Sequence, residues 1–328
     1  MKIDLFEHPQ GDRPFKALVL LLTGVLVLAL QDSLIKLMSV DTSFWQFQTL
    51  RSLGNLGFLL LLALATTGLG ILKPRNSGAV YLRAGLLTVC MFFFFSGAPY
   101  LSLAQMAAGL YTYPLFVSLL AAPILGEVVG RWRIGALVLG AIGALLVLSP
   151  WDDNFSMVQV LPVLAGLFYA TNILTIRRAC RNESPLALAF ATGIVFLASG
   201  LVGITLLSLF PLDDNIRELM PFVAIGWPEL TLLIAGFALF ASALNLTGNI
   251  CITRAYQTAD ASWLAPMDFT YLLFAAIWGR LIFDKWPTSH ALTGMALIAS
   301  AGIITAWRER VVASRKPGRL SVISGTDR

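Results

Sequence analysis

Residues 104–148 read AQMAAGLYTYPLFVSLLAAPILGEVVGRWRIGALVLGAIGALLVL: an apolar helix, a short charged turn, and a second apolar helix studded with glycine. Residues 259–307 read ADASWLAPMDFTYLLFAAIWGRLIFDKWPTSHALTGMALIASAGIITAW, and the landmarks return in the same order. Gly126 and Glu127 are answered by Phe283 and Asp284, the turn Arg131-Trp132-Arg133 by Lys285-Trp286-Pro287, and Gly135 with Gly143 by Gly294 with Gly302. The glycines are equally spaced in both copies. Self-similarity over such a length marks a duplicated unit.

Composition decides the solvent. Hydrophobic residues make up 57% of the chain, charged residues 12%, and the mean hydropathy is +0.79. A soluble domain carries about 25% charged residues. Surface on this chain has to be apolar, so most of it has to meet lipid. An all-α integral membrane protein is expected. The N-terminal stretch MKIDLFEHPQGDRPFK is polar, and the first apolar run is long enough to span a bilayer, so no cleavable leader is expected. Cys90, Cys180 and Cys251 show no metal-ligand spacing and no disulfide scaffold. Neither a metal nor a cofactor is expected.

Apolar runs fall at residues 15–38, 44–67, 79–101, 106–125, 134–149, 158–176, 186–210, 230–252, 263–283 and 291–307. Most are close to the roughly 20 residues of a spanning helix. Breakers such as Lys73-Pro74-Arg75-Asn76 and Pro150-Trp151-Asp152-Asp153-Asn154 separate them. The expectation is ten transmembrane helices, five in each copy of the repeat.

Basic residues orient the spans, because cytoplasmic loops are rich in Lys and Arg. With the N-terminus inside, most of the 23 basic residues fall on inner segments; Arg217, Arg280 and Lys285 lie outside, and Lys36 and Arg51 lie within spans. Five spans per copy is an odd number, so the second copy is inverted relative to the first. The predicted organisation is a cytoplasmic tail (1–14), a first repeat (15–149), an external linker (150–157), a second repeat (158–307) and a basic cytoplasmic tail (308–328). Inverted repeats put a solute site near the midplane, between the halves. The +5 net charge fits loops facing anionic lipid and does not point to nucleic acid.

With these residues in hand, the chain resembles the ten-helix branch of the drug/metabolite transporter superfamily, and each repeat resembles an EamA domain. In the first half the likeness rests on Tyr100-Leu-Ser-Leu-Ala104, Tyr113-Pro114, Gly126-Glu127 and Gly135 to Gly143. In the second it rests on Ala265-Pro266, Tyr271, Phe283-Asp284, Trp286-Pro287 and Gly294 to Gly302. The opening Gln31-Asp32-Ser-Leu-Ile-Lys36, followed by Arg51, resembles a branch that contains metabolite and cofactor carriers. Asp284, where the family more often has Glu, and Asp268, where a small or apolar residue is commoner, depart from the pattern. The resemblance implies a secondary carrier of small organic solutes in a cell membrane, with both termini cytoplasmic and no nucleotide hydrolysis; the sequence holds no G-x-x-x-x-G-K-[ST] loop.

The chemistry rests on polar groups inside apolar runs, where a charge costs about 2.5–3.5 kcal/mol at the helix centre unless it finds a partner or water. Asp32 and Lys36 are four residues apart and can pair on one helix face. With Arg51 they read either as an outer gate and substrate anchor or as a structural ion-pair cluster. Asp268, two residues after Pro266, is either a proton or ammonium site or a cap on backbone freed by the proline. Asn172, Asn245 and Asn249 serve either the solute or helix packing. Tyr111 and Tyr113 stand beside the helix-weakening Pro114, and with Tyr169, Trp263 and Tyr271 can line a cavity that stacks on a planar or cationic solute. Trp45, Trp132, Trp151 and Trp286 read as an interfacial belt, and part of the run Phe92 to Phe95 is expected to face lipid. Glu127 and Asp284 are expected to cap the helices that follow them.

The only histidines, His8 and His290, lie outside the spans and no H-E-x-x-H motif appears, so an embedded enzyme is not expected. The sequence favours alternating access around a cavity lined by spans one, three, four, six, eight and nine, with Pro99, Pro114 and Pro266 as bending points. Export of an amino-acid-like metabolite is the first expectation, since both signs of charge are available. The alternative is uptake of a cofactor or vitamin such as riboflavin or S-adenosylmethionine, which an aromatic cavity with few free charges favours. Protons are the candidate coupling ion. A homodimer is left open, as no interface can be read.

Overall fold

Short polar side chains start the helices. The computed structural model describes residues 14–66, 68–125, 131–153, 155–259 and 264–314. Helix α1 (Pro14–Met38) opens on a proline, whose fixed φ suits a first turn. Ser43 accepts from the Gln46 amide ahead of α2 (Phe44–Ala65), and Asn76 from the Ala79 amide ahead of α3 (Ser77–Ser96). Ser102 and Gln105 form a reciprocal capping box on α4 (Leu103–Leu110). These side chains satisfy amides that a helix start leaves open. There follow α5 (Tyr113–Leu125), α6 (Arg131–Leu148), α7 (Leu161–Ala179), α8 (Pro185–Leu209), α9 (Asp214–Leu219), α10 (Pro221–Ala224), α11 (Leu232–Thr258), α12 (Thr270–Phe283) and α13 (Ser289–Ser314). No strand occurs among the described residues.

Among the described residues eight segments are long and apolar enough to cross a membrane, and α6 adds a shorter apolar stretch, Ile134–Leu148. Large side chains such as Leu61 and Leu64 on α2, Leu209 on α8 and Leu281 on α12 are exposed. A multi-pass membrane protein presents such faces to lipid.

Two expected spans are interrupted. The fourth run breaks at Tyr111 and Thr112 between α4 and α5, with Pro114 just inside α5. The ninth opens as a 3-10 turn, Ala265–Phe269, before α12 begins. Proline lacks an amide and disfavours the turn before it, so both breaks fall beside a proline. At the first break α4 presses against α7: a Cβ at Gly109 would lie 2.5 Å from Pro162, and one at Gly166 would lie 2.8 Å from the Thr112 hydroxyl.

Three packing expectations change. Trp45 does not face the interface: its indole N–H donates to the Val223 carbonyl and its ring stacks on Phe92. Phe94 and Phe95 are buried, and Phe92 and Phe93 are half-buried against Trp45 and Phe168, so the phenylalanine run is an internal seam. Asp284 closes α12 in the left-handed conformation (φ 54°) and pairs with Arg280 at 2.5 Å; the start of α13 is capped by Thr288 instead. Glu127, Gly126 and Trp263 lie outside the described residues.

The helices pack in pairs. Helix α1 runs along α11 and α3 along α7; α2 lies on α8 and also touches α11, while α8 touches α3; α6 lies on α13; and α4 meets α12. One hydrophobic cluster joins α1, α4, α12 and α13, and another joins the end of α1 to α2, α3, α7 and α11.

Candidate functional site

The two interrupted spans meet where α1 turns polar. Asp32 is held by two donors: Tyr271, in the first turn of α12, donates its hydroxyl to Oδ2 at 2.5 Å, and Gln31 donates Nε2 to Oδ1 at 2.8 Å. Asn245 on α11 donates to Gln31 Oε1 at 2.7 Å, and Asn249 donates to the Asn245 carbonyl at 2.8 Å. One polar chain thus links α11, α1 and α12. Each bond satisfies a group that would be expensive to leave open in a lipid-surrounded bundle.

An aromatic wall stands against this chain. Tyr111 stacks on Tyr271 with ring centroids 5.2 Å apart and planes 12° apart. Tyr113 meets Tyr111 edge-on at 5.8 Å and Tyr169 at 4.9 Å, and Phe269 meets Tyr111 at 5.5 Å. The Tyr111 hydroxyl donates to the backbone carbonyl of Asp268 at 3.1 Å, bridging the break in the fourth span to the 3-10 turn of the ninth. Backbone that leaves the helical pattern at membrane depth is tolerated where side chains re-satisfy it, and such breaks line cavities.

The charged residues do not pair as the sequence suggests. Lys36 donates to the Ala98 carbonyl and lies 5.2 Å above the Phe283 ring, away from Asp32. Arg51 is buried; it donates Nη2 to Gln48 Oε1 at 2.8 Å and sits 5.7 Å over the Phe196 ring. Among the described residues no ion pair joins Asp32, Lys36 and Arg51. The reason is geometric: Asp32 turns to the donors of α12, while Lys36 reaches the turn after α3. Asp268 supplies its backbone to the aromatic wall, and its side chain is half-buried. Asn172 on α7 is 2% exposed, and its Oδ1 has no partner.

Of the sequence candidates, Asp32, Tyr111, Tyr113, Asn245 and Tyr271 come together, with Asp268 beside them, while Asn249 is exposed and bonds only to the backbone of its own helix. Lys36 and Arg51 stand apart, and Asn172 is isolated. The sequence reading gave Gln31 only as the first residue of a motif and passed over Gln48, the two neutral amides that tie the charged groups in place. Their position beside Asp32 and three residues before Arg51 was the available signal.

The profile of the EamA-like transporter family matches residues 15–149. A riboflavin transporter of Vibrio cholerae is 32% identical over 207 residues, 63% of this chain and 63% of that protein, so the chain spans under two thirds of that relative. A riboflavin transporter of Rhizobium johnstonii is 27% identical over 85% of this chain and 84% of its own. A pseudopaline exporter of Pseudomonas aeruginosa is 28% identical over 74% and 76%. A crystal structure superposes on 92% of this chain and 99% of its own with a TM-score of 0.52 at 17% identity, a likeness of fold alone. Interrupted apolar spans, a polar chain within them and these relatives agree: residues 15–149 match the EamA-like transporter family, and the chain as a whole is a multi-pass helical membrane protein similar to proteins named as transporters.

Proposed function

We propose that the protein takes up a planar heteroaromatic solute of the riboflavin type by alternating access. The observation that carries this reading is the tyrosine wall of Tyr111, Tyr113, Tyr169 and Tyr271 beside a chain of neutral amides. Stacking of a ring on an aromatic side chain is worth about 1–3 kcal/mol. The two charges on α1 are engaged, Asp32 by Tyr271 and Gln31 and Lys36 by a carbonyl, which leaves that pair unavailable to a zwitterionic amino-acid-like solute. Support thus moves from amino-acid-like export to the vitamin alternative, and two relatives carry the name riboflavin transporter.

The halves at 15–149 and 158–307 act as two inverted five-helix units, with both termini in the cytoplasm of a cell whose inner membrane holds the protein. Helix packing supports a two-fold relation between the halves, and five spans in each make it an inversion. Exchanging first-half for second-half helices turns the contact of α1 with α11 into that of α7 with α3, and the contact of α2 with α11 into that of α8 with α3. It leaves α2 on α8, α6 on α13 and α4 on α12 as they are. Protons drive the cycle, with Asp268 as their carrier. The test is growth of a riboflavin-requiring bacterium without its own uptake system, together with entry of labelled riboflavin. The chain is expected to support both, and Tyr111→Ala to raise the KM about tenfold, as about 1.4 kcal/mol of lost stacking would. No entry of label with protein present in the membrane overturns the substrate assignment.

A further inference from the structure

Helix α2 stands outside the six spans expected to line the cavity, yet one of its faces is polar and unsatisfied. Gln48, Arg51, Ser52 and Asn55 follow the i, i+3, i+4, i+7 spacing of a single helix face. Each has a buried side-chain atom without a hydrogen-bond partner: Gln48 Nε2, Arg51 Nε, Ser52 Oγ and Asn55 Oδ1. Gln48, Arg51 and Ser52 are 2%, 3% and 0% exposed. A serine inside a helix commonly donates to the carbonyl four residues back, as Thr49 does to Trp45, and Ser52 does not. The opposite face carries Leu53, Leu60 and Leu64, which are exposed. The stripe therefore faces inward, and the lipid side of α2 is ordinary.

At its outer end the stripe meets a cavity of about 10 Å³, where Gln48 and Arg51 meet Ile35, Phe44, Phe95 and Phe222. A space of that size holds about one water molecule, so an edge of a solute reaches it only in a conformation that opens it further. Ile35 lies one turn beyond Gln31 on the same face of α1, which joins this cavity to the Asp32 chain. Asp32 acts on Arg51 through space only, since both of its oxygens are engaged elsewhere. The free atoms at the cavity end are N–H donors, Gln48 Nε2 and Arg51 Nε, and they call for an acceptor.

We propose that this face of α2 is a wall of the solute path, where Gln48 and Arg51 donate to ring carbonyls of the solute while its ring system lies against the tyrosines. The donor role rests on the riboflavin-type reading; the lining role does not. Ser52→Cys and Asn55→Cys, with Leu53→Cys as the lipid-facing control and the natural cysteines as background, are treated in membranes with a charged, hydrophilic methanethiosulfonate. Ser52→Cys and Asn55→Cys are expected to react at least tenfold faster than Leu53→Cys, and equal rates overturn the lining role. Gln48→Glu keeps the acceptor for Arg51 and removes the free donor. It is expected to raise the KM for riboflavin at least fivefold with little change in maximal rate, and an unchanged KM overturns the donor role. Absence of riboflavin flux in the unaltered protein removes the substrate assignment and the donor role together, and the cysteine rates still decide the lining.

Discussion

A carboxylate inside a helix bundle needs donors, and Asp32 takes its own from Gln31 and Tyr271. Hydrogen bonds to charged groups are worth about 1.5–3 kcal/mol, and an abandoned buried charge loses at least that. Tyr271→Phe is therefore expected to slow riboflavin uptake by about tenfold or more and to lower the Tm. Adding Asp32→Asn should recover part of the Tm, because the unmet charge is gone; uptake in vesicles and thermal unfolding check the pair. Asp268→Asn is expected to flatten the dependence of uptake on external pH, and an unaltered profile would limit Asp268 to its backbone bond with Tyr111. The charged members of this site were legible as breaches of an apolar pattern. The roles of Gln31 and Gln48 were not, because a neutral amide in a span disturbs hydropathy little. The partners of Lys36 and Arg51 were hidden for another reason: a carbonyl at Ala98 and an aromatic ring at Phe196 are not residue types that a search for charge pairs consults.

At the scale of the element, the interrupted fourth and ninth spans do what straight helices cannot. They expose backbone at membrane depth and bring Tyr111 and Tyr271 face to face. Prolines 114 and 266 announced both breaks in the sequence, although the exact place and the 3-10 form did not follow from them. What fixes the first break is the contact of α4 with α7. A side chain at Gly166 would collide with Thr112 and with the carbonyls of Leu110 and Gly109. Overpacking of this kind costs about 1–3 kcal/mol. Gly166→Val should lower the Tm by several degrees and weaken riboflavin binding, as measured by quenching of flavin fluorescence, while a similar change at Gly85, which meets nothing nearby, leaves both unchanged. The misread belt at Trp45 has the same origin: a tryptophan near a helix end reads as interfacial until another segment, here Phe222 and Val223, covers it.

For the molecule as a whole, the apolar composition and the all-helical, membrane-spanning character were legible, because they depend on long stretches and tolerate local errors. The meeting of the halves was not, since it depends on which faces lie together. At one seam that meeting is reciprocal. A Cβ on Gly143 of α6 would lie 2.7 Å from the Gly294 carbonyl, and a Cβ on Gly294 of α13 would lie 2.5 Å from the Gly143 carbonyl. Each glycine thus guards the same gap from its own side. Whichever is enlarged first has to push the helices apart, and the second then enters space already opened. The energies of Gly143→Ala and Gly294→Ala should accordingly fail to add, with the double variant losing clearly less stability than the two single losses combined, a coupling of about 0.5–3 kcal/mol. Chemical unfolding of the two single variants and the double variant in detergent measures it directly. Strict additivity would mean that the seam yields locally at each glycine. A seam that instead behaves as one thermodynamic unit ties the two helices together in their tolerance of change: what α6 can accept at Gly143 depends on what α13 already carries at Gly294.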